Sequence, residues 1–296
     1  MVTSLTFSPD SQHFVSTSFD LVDVFVCQWD VHGIWCAMFM GALHRPHVIA
    51  PGCFDNSVRL WDAQSFHPPL GVLATHLVAF SPQANGRRLA ISTPSRGQGH
   101  DHHVLDVDLG KLHRRLDNAE PDHACSELSA ASFDPGSMPR LVATRNPPQV
   151  AGDVESGQKM LVLGDGYPSA TAVAFSHADG RLVVTAAYNG GLKLSNADVG
   201  VELCSLNLGH RNPVGKVVFS LCGRYIAAAS DAGRVRLWSI GRRGGSMVAT
   251  FSDSEHEVKL CQVAFSGDGK ALWSGDYHGV VSMRRICDIV SDEQER

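Results

Sequence analysis

The chain of 296 residues holds 25 Lys and Arg against 30 Asp and Glu, a formal net charge of -5, with 44% hydrophobic and 19% charged residues. This balance excludes a disordered chain and leaves no basic footprint for general nucleic-acid binding. No run approaches the ~18 uninterrupted apolar residues of a membrane span, and the start MVTSLTFSPD lacks the basic-then-apolar order of a secretory signal.

Smaller features point the same way. The basic pairs Arg87-Arg88, Arg114-Arg115, Arg242-Arg243 and Arg284-Arg285 are scattered and read as solvated turn charges, not as one phosphate-binding stripe. The eight cysteines show no close-paired spacing and mostly sit in apolar runs, where a reduced thiol acts as a small hydrophobe. There is no Asn-x-Ser/Thr acceptor. A cytoplasmic and/or nuclear location is expected.

Taken in chain order, short apolar runs alternate with turns. The first predicted strand ends at Phe7, before the turn Ser8-Pro9-Asp10, and a second covers Phe14-Val15. Trp29-Asp30 closes this unit, and the few residues before the next strand, near Ile34, leave no room for an outer strand. The second unit has Phe39, then Val48-Ile49-Ala50, then Ser57 to Trp61. The third has Phe80-Ser81-Pro82 and Leu89-Ala90-Ile91; the fourth has Phe133, Leu141-Val142-Ala143 and Gly152-Asp153. The fifth has Phe175, the turn His177 to Gly180, and Leu182-Val183-Val184. The sixth, His210 to Trp238, is the most regular. The seventh has Phe265-Ser266-Gly267-Asp268 and Ala271-Leu272-Trp273, and the tail after Arg284 is too short for a further turn and strand. No helical period of 3.6 is sustained, so the chain reads as nearly all β.

The repeat is the main signal. The strand-ending phenylalanines Phe7, Phe39, Phe80, Phe133, Phe175, Phe219 and Phe265 are spaced by 32, 41, 53, 42, 44 and 46 residues. A period in the low forties, with three or four short strands per unit, fits a propeller blade. Histidines keep the same phase: His210 precedes Trp238 by 28 residues, His32 precedes Trp61 by 29, and His256 precedes Arg284 by 28. His123 precedes Gly152 by 29, and His76 precedes Val107 by 31.

With its Gly-His, Phe-Ser-Pro-Asp and terminal Trp-Asp elements in phase, the chain resembles the WD-repeat β-propeller family. The resemblance implies an all-β, seven-bladed propeller over residues 1–290, with incomplete first and last blades, ahead of a short polar tail at 291–296. It also implies a hydrogen-bonded His, Ser/Thr, Asp and Trp clasp in each blade, satisfying buried polar groups while pinning loop to strand. Here the clasp is represented by His32, Asp55, Trp61, His123, Thr185, His210, Trp238, His256 and Ser274. Every unit lacks part of it: Pro51 replaces Ser in the second, and Ala228 and Ala232 replace Ser and Asp in the sixth. Sheet burial is therefore expected to hold most blades together. Propellers of this family usually close by sharing a strand between the termini; here closure is expected to be incomplete, with exposed edges that could aggregate or recruit a partner strand.

Within the family, loops before the first strand and after the second converge around the central channel and commonly take up peptides or proteins. Mapped here, that face carries Phe54, Arg96, His123, Tyr167, Tyr188, Asn189, Arg211, Asn212, Asp231, Glu255, Tyr277 and His278. Aromatics and arginines on one rim match the composition of interface hot spots.

Chemistry is thin. Gly-x-Ser-x-Gly, Gly-x-x-x-x-Gly-Lys and His-Glu-x-x-His are all absent. His100-Asp101-His102-His103, with His113 nearby, is the one candidate metal cluster. Alternation along a strand lets only His100 with His102, or Asp101 with His103, share a face, where zinc needs three or four converging donors. A polar loop is the better reading. No cofactor is therefore expected, and the function expected is a non-enzymatic scaffold or adaptor for a protein or peptide, within a multiprotein complex, without specific nucleic acid or membrane. The competing readings are a propeller hydrolase or oxidoreductase with a metal or quinone in the channel, and a partial or degenerate gene product. The long N-terminal helix of G-protein β subunits and the Trp-Asp-x-Arg of cullin-ligase receptors have no counterpart.

Overall fold

Most strands of the structure coincide with a short apolar run of the sequence. The computed structural model describes strands between Val2 and Arg285 and a helix at Ile286–Gln294. Side chains are described chiefly in residues 170–178, 180–206, 212–241, 244–252 and 262–290.

Among the described residues the strands form seven antiparallel sheets, six of four strands and one of three. The first comprises β1 (Val2–Phe7), β2 (Phe14–Ser18), β3 (Val22–Val24) and β4 (Cys27–Trp29). The second comprises β5 (Ile34–Phe39), β6 (Val48–Cys53), β7 (Ser57–Asp62) and β8 (Leu70–Leu73). The third is built from β9 (Val78–Phe80), β10 (Arg88–Pro94), β11 (His100–Asp106) and β12 (Lys111–Arg115). In the fourth are β13 (Ala130–Phe133), β14 (Arg140–Thr144), β15 (Val150–Asp153) and β16 (Lys159–Val162). The fifth holds β17 (Ala170–Phe175), β18 (Leu182–Ala187), β19 (Leu192–Asn196) and β20 (Glu202–Leu206). The sixth holds β21 (Val214–Phe219), β22 (Tyr225–Ser230), β23 (Arg234–Gly241) and β24 (Gly244–Ser252). The seventh has β25 (Leu260–Phe265), β26 (Ala271–Asp276) and β27 (Val281–Arg285), followed by α1 (Ile286–Gln294).

All seven phenylalanines that set the sequence period end the first strand of a sheet. These first strands neighbour one another in chain order, and β1 also lies against β25. One expectation needs correction. Trp29 closes β4, an outer strand, so the first sheet has four strands: the connection between β3 and β4 is tight enough to fit where none seemed possible. The chain also forms a helix, α1, whose nine residues are too few to register as a sustained period. Among the described residues the seventh sheet has three strands.

Where side chains are described, the sheets stack face to face. Ala172, Val184, Ala186, Leu192, Leu194 and Leu206 of the fifth sheet form one apolar cluster with Val214, Val217, Phe219, Ile226, Ala228 and Trp238 of the sixth. On the sixth sheet's other face Ala227, Ala229, Val235 and Leu237 meet Val263 and Leu272 of the seventh and Ile286 and Ile289 of α1. Leu5 of β1 packs with Ala264 of β25, joining the first sheet to the last. Middle strands are thus buried on both faces, which is why β18 and β22 read as continuous apolar runs and not as alternating ones.

The serine after the phenylalanine has a physical role that its recurrence alone does not disclose. Ser220 is buried, and its Oγ accepts a hydrogen bond from the Tyr225 N–H at 3.0 Å, while its own N–H reaches the Tyr225 carbonyl at 2.9 Å. Ser266 repeats the arrangement with the Ala271 N–H at 2.9 Å. The hydroxyl closes the turn between the first and second strands. Ser220→Ala leaves a part-buried N–H without that acceptor and is expected to cost about 1–3 kcal/mol. Urea denaturation of the purified chain checks this, and an unchanged midpoint would show that the hydroxyl is dispensable.

Candidate interaction face

Three turns, one in each of the last three sheets, share one construction. Gly190 N–H donates to the Ala187 carbonyl at 3.0 Å, Gly233 to Ser230 at 3.0 Å, and Gly279 to Asp276 at 3.3 Å. Each is the four-residue turn between second and third strands, and each glycine has a positive φ, of 81°, 71° and 91°. A side chain there would strain the backbone, so glycine recurs at the same point. The residue that leads each turn is Tyr188, Asp231 or Tyr277. Tyr188 is 65% exposed and Tyr277 52% exposed, large aromatics standing on rigid turns in place of sheet packing.

Side-chain bonds stiffen the turns. Asn189 Oδ1 accepts from the Gly191 N–H at 3.0 Å. Asp276, only 6% exposed, accepts from the His278 N–H at 2.9 Å and the Val280 N–H at 2.8 Å. Asp276 was not among the expected site residues; the signal was present as an Asp three residues before a turn glycine, since Asp side chains cap such turns. It holds Tyr277 and His278 in place.

Strand register brings the entry of each of these sheets beside the same turn. Ala170 pairs with Ala187, Val214 with Ser230, and Leu260 with Asp276. In the sixth sheet the Asp231 N–H donates to the Pro213 carbonyl at 2.9 Å, placing Asn212 and Asp231 at one end of the sheet. Tyr188, Asn189, Asn212, Asp231, Tyr277 and His278 are therefore described; Phe54, Arg96, Tyr167, Arg211 and Glu255 lie outside the described residues.

Of the expected clasp, His32, Asp55, His123, His210 and His256 lie outside the described residues, and Trp61 is described only as a position on β7. Thr185, Trp238 and Ser274 are all buried, on β18, β23 and β26. Trp238 sits in the apolar cluster between the fifth and sixth sheets, in register with Ile226 and Met247. His100, Asp101, His102 and His103 fall on β11, their side chains outside the described residues. Among the described residues no group of three or more His, Cys, Asp or Glu is placed to hold a metal, and no helix is long and apolar enough to cross a membrane.

The electrostatics are local. Lys193 and Glu202 pair at 2.9 Å across β19 and β20; the Ser205 hydroxyl, first, and Lys193 hold the Glu202 carboxyl below its usual range. The Ser266 hydroxyl and the Lys270 N–H do the same for Asp268. None of these groups lies in the three turns.

Stacked antiparallel meanders whose first strands neighbour one another in order define an all-β repeat protein. Comparison with known proteins carries this further. The family model described as "WD domain, G-beta repeat" matches residues 1–21 and 201–239. Over 96% of its length the chain shares the fold of a chain in "Crystal Structure of Mitotic Checkpoint Complex", with a TM-score of 0.79 and 15% identity, covering 87% of that chain. It is 25% identical over 159 residues to "Target of rapamycin complex subunit wat1" of Schizosaccharomyces pombe (strain 972 / ATCC 24843), 53% of this chain and 48% of that protein. The match thus spans about half of that curated relative. These findings bear out the resemblance to the WD-repeat family: its model matches within the first and sixth sheets, and nearly the whole chain shares its fold with the solved chain.

Proposed function

We propose that the chain is a non-catalytic interaction platform, a single seven-bladed propeller domain over residues 1–290 that holds a protein or peptide on the rim carrying Tyr188, Asn189, Asn212, Asp231, Tyr277 and His278. The observation that carries this reading is the pair of exposed tyrosines at equivalent, internally bonded turns of the fifth and seventh sheets. A rigid aromatic contributes contact area at low entropic cost, and tyrosine is enriched at hot spots. Membership of a multiprotein complex is supported by the two similar proteins, one a complex subunit by name and the other solved within a complex. The place of action on this reading is the cytoplasm and/or nucleus.

Affinity capture tests it. The double variant Tyr188→Ala, Tyr277→Ala is expected to lose at least one protein that the wild-type chain retains, with an unchanged melting temperature. Loss of either side chain costs the interface about 2 kcal/mol if it is a hot spot, roughly thirtyfold in affinity. Met247→Ser, exposed on β24, is the control and retains the same proteins. A double variant that captures the wild-type set unchanged overturns this use of the rim.

A further inference from the structure

We propose that the sixth sheet holds a binding site, built from Arg236 and Thr250, for a carboxylate side chain (Asp or Glu) of a partner protein. The fifth sheet shows the same arrangement filled from within the chain. There Lys193 Nζ lies 2.9 Å from Glu202 Oε2, and the Ser205 hydroxyl donates to Glu202 Oε1 at 2.6 Å. Lys193 is the register partner of Ser205, and Ser195, just past a register shift, is the partner of Glu202. β19 thus offers the cation, and β20 the hydroxyl and the carboxylate.

The sixth sheet repeats this register and omits the acid. Arg236 pairs with Thr250 as Lys193 does with Ser205. Trp238, past a register shift at the same point, pairs with Met247 as Ser195 does with Glu202. Met247 therefore stands on β24 where the carboxylate stands on β20. The Thr250 hydroxyl donates to Met247 Sδ at 3.5 Å, a weak thioether acceptor in place of a carboxylate oxygen. Arg236 is 6% exposed, and its Nε has no hydrogen-bond partner among the described residues. Arg234, two residues along β23 and so on the same face, adds a second positive charge. Charge complementarity names the occupant: a guanidinium with an unmet N–H beside a hydroxyl donor matches a planar carboxylate, which accepts from both. β24 is the outer strand of its sheet, and Met247 and Thr250 are exposed on it, so a protein surface can lie against the site.

The test is selection of short random linear peptides on the full-length chain, followed by calorimetry with the selected peptide. Peptides that share an Asp or Glu at one position are expected, and its change to Asn or Gln should weaken binding at least about tenfold. Met247→Glu supplies the carboxylate from within, as Glu202 does, and should weaken the peptide as much while melting no lower than the wild type. Arg236→Met should weaken it too, and should bind the acidic and amide peptides alike. Met247→Ser, which keeps Arg236 and Thr250, should retain the peptide. So should the Tyr188→Ala, Tyr277→Ala variant, which separates failure here from failure of the rim. Selected peptides without a shared acid, binding indifferent to Met247→Glu and Arg236→Met, loss of the peptide in the tyrosine variant, or its displacement by acetate at equal concentration would each overturn the proposal.

Discussion

Trp238→Ala is expected to destabilise the chain by about 3–5 kcal/mol, the largest loss of any single substitution considered. The indole is 2% exposed and lies where the fifth and sixth sheets meet, among Leu192, Leu194, Leu206, Ile226 and Ala228. Alanine would remove most of its contacts and leave a cavity that two hydrogen-bonded β-sheets cannot collapse to fill. Trp238→Phe separates two causes. If packing dominates, phenylalanine keeps most of the volume and costs less than about 1.5 kcal/mol. If the indole N–H, as the family clasp implies, is the main tie to His210, phenylalanine should cost nearly as much as alanine. Denaturant unfolding of both variants decides between them.

Arg236→Met is expected to move stability the other way, by about 1–3 kcal/mol. Arg236 is 6% exposed on β23, in register with Ala228 and Thr250, and its Nε is buried without a hydrogen-bond partner among the described residues. Burial, and then the like charge of Arg234, push the guanidinium below its ordinary pKa. The buried Nε–H carries a desolvation cost without a hydrogen bond to offset it, whereas methionine fills comparable space without that donor. A lower denaturation midpoint for Arg236→Met would show that the guanidinium is paired, and would sink the argument. Arg236→Ala should gain less than Arg236→Met, because it also opens a void.

The two residues illustrate what sequence pattern can carry. Trp238 stood out as the end of a third strand, since a period of about forty residues with Phe and Trp in phase constrains strand order strongly. Arg236 drew no notice: it sits in an apolar run as Arg59 does in another unit, and nothing local says whether such a side chain finds water or a neighbouring sheet. Burial between sheets is a property of two units at once, outside the reach of either alone. Asp276 was missed for a related reason: only the hydrogen bonds it accepts from the N–H groups of His278 and Val280 show that it caps the turn. Trp29 was misplaced because a Trp-Asp pair was read as the end of a third strand, when the tight β3–β4 connection places it on a fourth.

The rim was partly legible. Tyr188, Asn189, Tyr277 and His278 were expected in turns after second strands and are found there, on turns of common geometry. Their rigidity was not legible, since it comes from bonds such as that of Asp276 and from register with the next inner strand.

The order of strands, the seven strand-ending phenylalanines and the turns that follow them are local properties, written by alternating apolar runs and by Gly, Asp and Ser at positions that demand them. These the amino-acid sequence determined by itself. The contact of β1 with β25, the pairing of β3 with β4 and, among the described residues, the unpartnered Nε of Arg236 depend on which face of each sheet meets which neighbour. Packing between units far apart in sequence is non-directional and collective, and only the tertiary structure decides it.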